Sequence, residues 1–106
     1  KFNDRKTMII RLVKMVFRHE EAENFEALFN SRKTLIAGSP GCQSVELLKD
    51  VQTSDNVRIY FTRSIWKDEQ SLENYRASEL FADTWKLTKE KFAGKPEAWT
   101  TKIVSS

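Results

Sequence analysis

The chain has 106 residues, which fits one domain and leaves no room for a second. Its 40% hydrophobic and 31% charged residues describe an ordinary soluble protein, neither disordered nor embedded in a membrane. The net charge of +3 is small, and Arg11, Lys14 and Arg18 are followed at once by Glu20, Glu21, Glu23 and Glu26, a mixture that lacks the one-sided basic surface of a nucleic-acid binder.

One cysteine, Cys42, and one histidine, His19, exclude an intramolecular disulfide and a Cys/His cluster for zinc or an iron–sulfur centre; a carboxylate-only site stays open but no motif marks one, so no metal is expected. No apolar run nears the roughly 20 residues needed to cross a bilayer, and no charged-then-apolar leader opens the sequence. The expected location is cytoplasmic, with neither membrane nor nucleic acid as partner. A chain of this size hides roughly two-thirds of its unfolded surface, so its core is modest and a partner subunit would enlarge it.

In chain order, TMIIRLVKMVF (7–17) is rich in Ile, Val, Met and Phe, which suits a strand apolar on both faces. The next stretch, RHEEAENFEALFNSRKTLIAG (18–38), places Phe25, Leu28, Phe29, Leu35 and Ile36 at offsets 0, 3, 4, 10 and 11, the stripe of an amphipathic helix with acidic residues in its first turn. Gly38, Pro40 and Gly41 stop that helix. CQSVELLKDV (42–51) alternates loosely, QTSDN (52–56) is a polar turn, and VRIYFTRSIW (57–66) is a β-branched and aromatic run, which together read as a hairpin.

A second helical region opens at Asp68 or a neighbour as cap, with Glu69 in its first turn and Leu72 and Tyr75 on one face. Ser78-Glu79 looks like a fresh start, after which Phe81, Trp85, Thr88 and Phe92 recur at 0, 4, 7 and 11, so the helix is expected to bend there. Gly94-Lys95-Pro96 ends it, and EAWTTKIV (97–104) makes a last strand. Residues 1–6 and Ser105-Ser106 read as frayed ends of a single domain spanning 1–106, its core being residues 7–104.

The order strand–helix–strand–strand–helix–strand is the ferredoxin-like βαββαβ plan, an α+β fold whose antiparallel sheet carries both helices on one face. The other face would be bare, yet the strands are apolar on both sides, and so wide an apolar patch exceeds what a soluble monomer exposes. A homodimer in which two sheets face each other would bury it, across more than about 1,200 Å² in total.

These residues resemble the antibiotic biosynthesis monooxygenase (ABM) domains of the dimeric α+β barrel group. The resemblance rests on a first strand like MIIRLVKM, a Phe-rich first helix, GSPGCQSVEL at the turn into strand two, and a strand ending in Trp66. It continues as Trp66-x8-Tyr75-x2-Ser78-x2-Phe81, with tyrosine at a position where many relatives carry histidine. The resemblance implies oxygenation of a small aromatic phenol, anthrone or quinol without a cofactor, in a pocket between helices and sheet. In that chemistry the ionised substrate gives an electron to O2, and the protein supplies a dry pocket, proton transfer and stabilisation of anionic oxygen. Tyr75 suits hydrogen-bond donation better than base catalysis, because tyrosine titrates near 10. Arg11 and Arg58 would stabilise the anion if their strand faces turn inward. Trp66 and Trp85 would stack on a flat substrate, with Ser78 and Phe81 also against it.

Each of these residues also has a plainer role. Trp66 and Trp85 suit the core, Ser78 a helix cap, Arg11 and Arg58 solvent or an ion pair, His19 an exposed turn, and Cys42 a small packed residue. The barrel group includes haem-degrading monooxygenases, but Trp85, Tyr75 and Val13 stand where their axial histidine, tryptophan and asparagine should be. Without the histidine the iron lacks its usual handle. The remaining alternative is a dimeric barrel that binds a small apolar ligand without chemistry.

Overall fold

Strand pleating and helix caps set the order of elements. The computed structural model describes residues 7–52 and 54–106; residues 1–6, expected as a frayed end, and Thr53 of the expected turn lie outside them. The chain runs β1 (Ile9–Arg18), a 3-10 turn (His19–Glu21), α1 (Ala22–Ala37), β2 (Cys42–Lys49), β3 (Val57–Trp66), α2 (Glu69–Arg76), α3 (Glu79–Lys89) and β4 (Glu97–Lys102). Its four strands form one antiparallel sheet in the order β2-β3-β1-β4, the ferredoxin-like arrangement. Two strands are shorter than their apolar runs. At the end of β2 the Asp50 carboxylate accepts from the Gln52 amide at 2.9 Å and turns the chain, while Val104, beyond β4, is 95% exposed.

Because side chains alternate across a strand, Ile9, Met15 and Phe17 of β1 share a face with Tyr60 and Trp66 of β3, and all five are buried. Against one end of that face pack Ala22, Phe25 and Phe29 of α1. Phe17 stacks on Phe25 with ring centroids 4.1 Å apart, and Tyr60 meets Phe25 edge-on at 5.4 Å. At the other end Ile9 and Trp66 close on Leu72 of α2, with Cys42 and Tyr75 beside them. Each large apolar side chain so buried contributes about 1.5–3 kcal/mol by leaving water. The Tyr60 hydroxyl donates to the Glu26 carboxylate, and Lys49 lies 3.7 Å from the same carboxylate.

The opposite face carries Ile10, Leu12 and Val16 of β1 with Ile59, Phe61 and Ile65 of β3, none of them fully buried. At its margins Leu48 and Trp99 are 42% and 45% exposed. The strands are therefore apolar on both sides, with the helix-side core on one of them alone.

Three sequence expectations need correcting. Leu35 is 59% exposed, whereas Ile36 is buried; at 3.6 residues per turn an offset of 11 returns close to Phe25, and an offset of 10 falls about 80° away. The expected bend at Ser78 is a break between α2 and α3, since Ser78 has an extended backbone (φ −82°, ψ 159°) and its hydroxyl caps α3 by accepting from the Phe81 amide at 3.1 Å. Phe92 lies beyond α3 rather than on it. The Ala93 amide donates to the Val16 carbonyl at 2.8 Å, which lays this segment along the end of β1 and sets Phe92 against Phe17 at 5.3 Å.

The other caps form as read. Asp68 accepts from the Ser71 amide at 2.8 Å to start α2. Gly41 holds φ +85°, and a Cβ there would sit 2.2 Å from Ser71 Oγ, so only glycine lets the entry to β2 lie against α2.

Candidate functional site

Between its bulky ends the inner face of the sheet is lined by smaller or polar groups, and this leaves a cavity. Val13 and Arg11 of β1 and Thr62 and Ser64 of β3 line the floor. Phe25 and Phe29 close one side, Tyr75, Phe81 and Trp85 another, and the volume is about 270 Å³. No fully buried polar side-chain atom among the described residues lacks a hydrogen-bond partner.

An unbroken series of aromatic contacts forms the wall beneath α2 and α3. Tyr75 stacks on Trp66 (centroids 5.0 Å apart, planes 28° from parallel) and meets Phe81 edge-on at 5.4 Å. Phe81 in turn lies parallel to Trp85 at 6.0 Å. Trp66 is wholly buried and its indole N–H donates to Ser64 Oγ at 2.9 Å, so it is core and cavity wall at once. Trp85 is partly buried and packs against the Phe17 cluster.

Burial, and after it the nearby Cys42 sulfur, push the Tyr75 phenol up to about 12. At neutral pH Tyr75 is therefore a protonated donor, and its hydroxyl makes no hydrogen bond among the described residues. Arg11 lies on the central strand, opposite Ser64 of β3 and Thr100 of β4. It donates to Thr100 Oγ1 at 2.7 Å and forms no ion pair among the described residues. Partial burial and then the Arg76 guanidinium hold Arg11 below its ordinary pKa, while Glu73 opposes them; it remains charged all the same.

Arg58 and Ser78 lie elsewhere. The Arg58 guanidinium donates to the Ser54 and Val57 carbonyls at 2.6 and 2.9 Å and pins the β2–β3 connection. The Ser78 hydroxyl is engaged at both ends, since besides capping α3 it donates to the Tyr75 carbonyl at 2.6 Å. His19 is exposed beside Glu20, 3.5 Å away, and burial raises the Cys42 thiol, which keeps it protonated. Val13, Tyr75 and Trp85 all line the cavity and none offers an imidazole, so these walls do not fit a haem held through histidine.

Sequence reasoning missed Thr62, Ser64 and Arg76, all of which line the cavity. The first two stand four and two residues before Trp66, and strand alternation puts them on its face. Arg76 carried no signal beyond adjacency to Tyr75.

This is a ferredoxin-like α+β fold with an aromatic-walled cavity between helices and sheet. Residues 8–87 match the antibiotic biosynthesis monooxygenase family, and the chain belongs to it. Solved structures with the same fold include a conserved protein from Methanosarcina mazei Go1, 20% identical, with a TM-score of 0.87 over 96% of this chain and 98% of that one. Rv0793 from Mycobacterium tuberculosis is 12% identical, with a TM-score of 0.83 over 94% and 98%. SnoaB, a cofactor-independent oxygenase from Streptomyces nogalater, is 17% identical, with a TM-score of 0.79 over 94% and 96%. At such identities the likeness is one of fold. No curated protein matches the chain.

The chain has just two tyrosines, Tyr60 and Tyr75, and burial raises both, Tyr60 further through its bond to Glu26. A phenol whose native pKa exceeds its unfolded value of about 10 stabilises the fold below that pH and loses the contribution as pH climbs through the native value. Absorbance titration at the tyrosinate band is expected to show no ionisation near pH 10 in the folded protein, and Tyr60→Phe should leave one late step from Tyr75. A full tyrosinate step near pH 10 with the fold intact would contradict the burial of Tyr75.

Proposed function

We propose that the chain is a cofactor-independent monooxygenase that oxygenates a small aromatic phenol, anthrone or quinol in the helix-side cavity. The observation that carries this reading is the meeting, in one aromatic-walled cavity, of an Arg11 guanidinium without an ion pair and a protonated Tyr75 hydroxyl without a hydrogen-bond partner among the described residues. The volume of about 270 Å³ is just below the range of drug-sized pockets and suits a flat two- or three-ring molecule.

Trp66, Tyr75, Phe81 and Trp85 provide flat apolar surface against which such a ring packs. Arg11 lowers the energy of the ionised substrate oxygen and so favours loss of its proton to solvent. The electron-rich anion passes one electron to O2, the two radicals join through a new C–O bond, and the peroxide takes a proton from solvent; loss of the remaining proton on that carbon then forms the C=O bond as the O–O bond breaks, and the departing hydroxide leaves as water. For an anthrone the balance is one substrate and one O2 to one quinone and one water. Tyr75 donates a hydrogen bond to developing negative oxygen and keeps its proton, because its pKa lies far above neutral. Arg58 and Ser78 take no part.

Oxygen uptake with a panel of anthrones and quinols, no cofactor added, tests this. The wild type is expected to exceed the spontaneous rate, with Arg11→Gln lowering kcat by about 100-fold or more, as loss of an oxyanion donor does, and Tyr75→Phe by about 10-fold to 100-fold. A wild type that never exceeds the background, matched by Tyr75→Phe, would favour the cavity as a mere binding site for a small apolar ligand.

The working unit in this reading is a homodimer joined through the open sheet face, whose Leu12, Val16, Phe61 and Ile65 are only partly covered within one chain and whose Trp99 is 45% exposed. A stable pair would hide more than about 1,200 Å² there. Light scattering is expected to give twice the chain mass, with Trp99→Glu shifted toward single subunits. A wild type that stays a folded single subunit at high concentration would refute the pairing.

A further inference from the structure

Arg76 ends α2 next to Tyr75 and lines the same cavity as Arg11. Its guanidinium lies 3.4 Å from Glu73 one turn back, with 42% of its side chain exposed, an arrangement of small net worth that a better anion can replace. It also stands near enough to Arg11 to disfavour the charge there, which Glu73 relieves. Two guanidiniums thus share the Glu73 carboxylate beside an apolar cavity, whose lining carboxylate, Glu97, is paired with Lys14 at 3.8 Å, and this leaves positive charge in excess in a partly desolvated place. The fold gains nothing from such crowding, and a bound anion would relieve it.

We propose that Arg76 is a specificity-determining residue that reads a carboxylate carried by the aromatic ligand, while Arg11 serves the ring oxygen. The planar fork of a guanidinium matches a carboxylate through two parallel N–H···O bonds. The exposed position of Arg76 puts that carboxylate toward solvent, with the rings inward against Tyr75 and Phe81. The preferred substrates are then acidic aromatics rather than neutral ones. The inference rests on the aromatic-ligand reading of the cavity and narrows it to a substrate class.

Binding, read by quenching of tryptophan fluorescence, separates the two ideas without any turnover. The probes are 2-naphthol, 6-hydroxy-2-naphthoate and the neutral amide of that acid. The wild type is expected to bind the carboxylate about tenfold tighter than the amide. Arg76→Gln should erase that preference and leave 2-naphthol unchanged, and Glu73→Gln, which frees Arg76, should enlarge it. Equal binding of acid and amide by the wild type, or an equal loss for all three probes in Arg76→Gln, would overturn the role of Arg76 while leaving the cavity as a binding site. Failure of all three probes to bind would remove the cavity reading and this proposal together.

Discussion

The stack of Tyr75 on Trp66 is the contact on which the arrangement of the cavity depends. Trp66 is fully buried at the end of β3, held by Ile9 and Leu72 and by the bond from its indole N–H to Ser64. Tyr75 lies over that ring at 5.0 Å, which seats α2 on the sheet, and Phe81, after the break at Ser78, meets the tyrosine edge-on. A tryptophan so placed serves the fold before it serves any ligand, because truncating a buried tryptophan costs about 3–5 kcal/mol. Lost activity in a Trp66→Ala variant would therefore say nothing about catalysis.

The cavity is a consequence of side-chain size along two strands. Phe17 and Tyr60 fill one end of the inner face and Ile9 and Trp66 the other, while Val13, Thr62 and Ser64 between them are too small to reach the helices. Arg11 occupies the same gap on the central strand, with Thr100 as its one hydrogen-bond acceptor among the described residues. A charged side chain in such a place is disfavoured unless it meets an anion, and this is the electrostatic basis of both functional proposals. Ser78 and Arg58 illustrate the opposite case, polar groups tied to backbone carbonyls and amides away from the cavity.

Much of this was legible in the sequence. The β-branched runs, the Gly38–Gly41 stop and the Asp68 and Ser78 caps located all four strands and the start of each helical stretch after the first, since each signal is local, but one bent helix was expected where α2 and α3 stand, and α3 ends at Lys89, short of the Gly94-Lys95-Pro96 stop. The apolar character of both sheet faces was equally plain in MIIRLVKMVF. Leu35 and Phe92 were misplaced for a physical reason: a repeat of apolar residues fixes neither the phase of the stripe late in a helix nor the residue at which the helix stops. Position 78 read as a bend because a cap and a kink leave the same serine in the sequence. For the site, Tyr75, Trp66, Phe81, Trp85 and Arg11 were found and line the cavity. Arg58 shares the inward parity of Trp66 on β3, but it lies eight residues back, at the far end of the strand, where loop carbonyls claim it. Arg76 escaped notice because a cation at the C-terminal end of a helix is explained by the helix itself.

The central claim is that flat aromatic ligands enter the helix-side cavity, and the chain's three tryptophans report on it from opposite faces of the sheet. Trp66 and Trp85 line the cavity, whereas Trp99 lies on the far face beside Leu12. An NMR titration with a hydroxynaphthoquinone, following the three indole N–H signals, tests the claim most directly. The account predicts that the Trp66 and Trp85 signals move together and saturate while Trp99 stays in place. Saturating movement of Trp99 with Trp66 and Trp85 unmoved would contradict it.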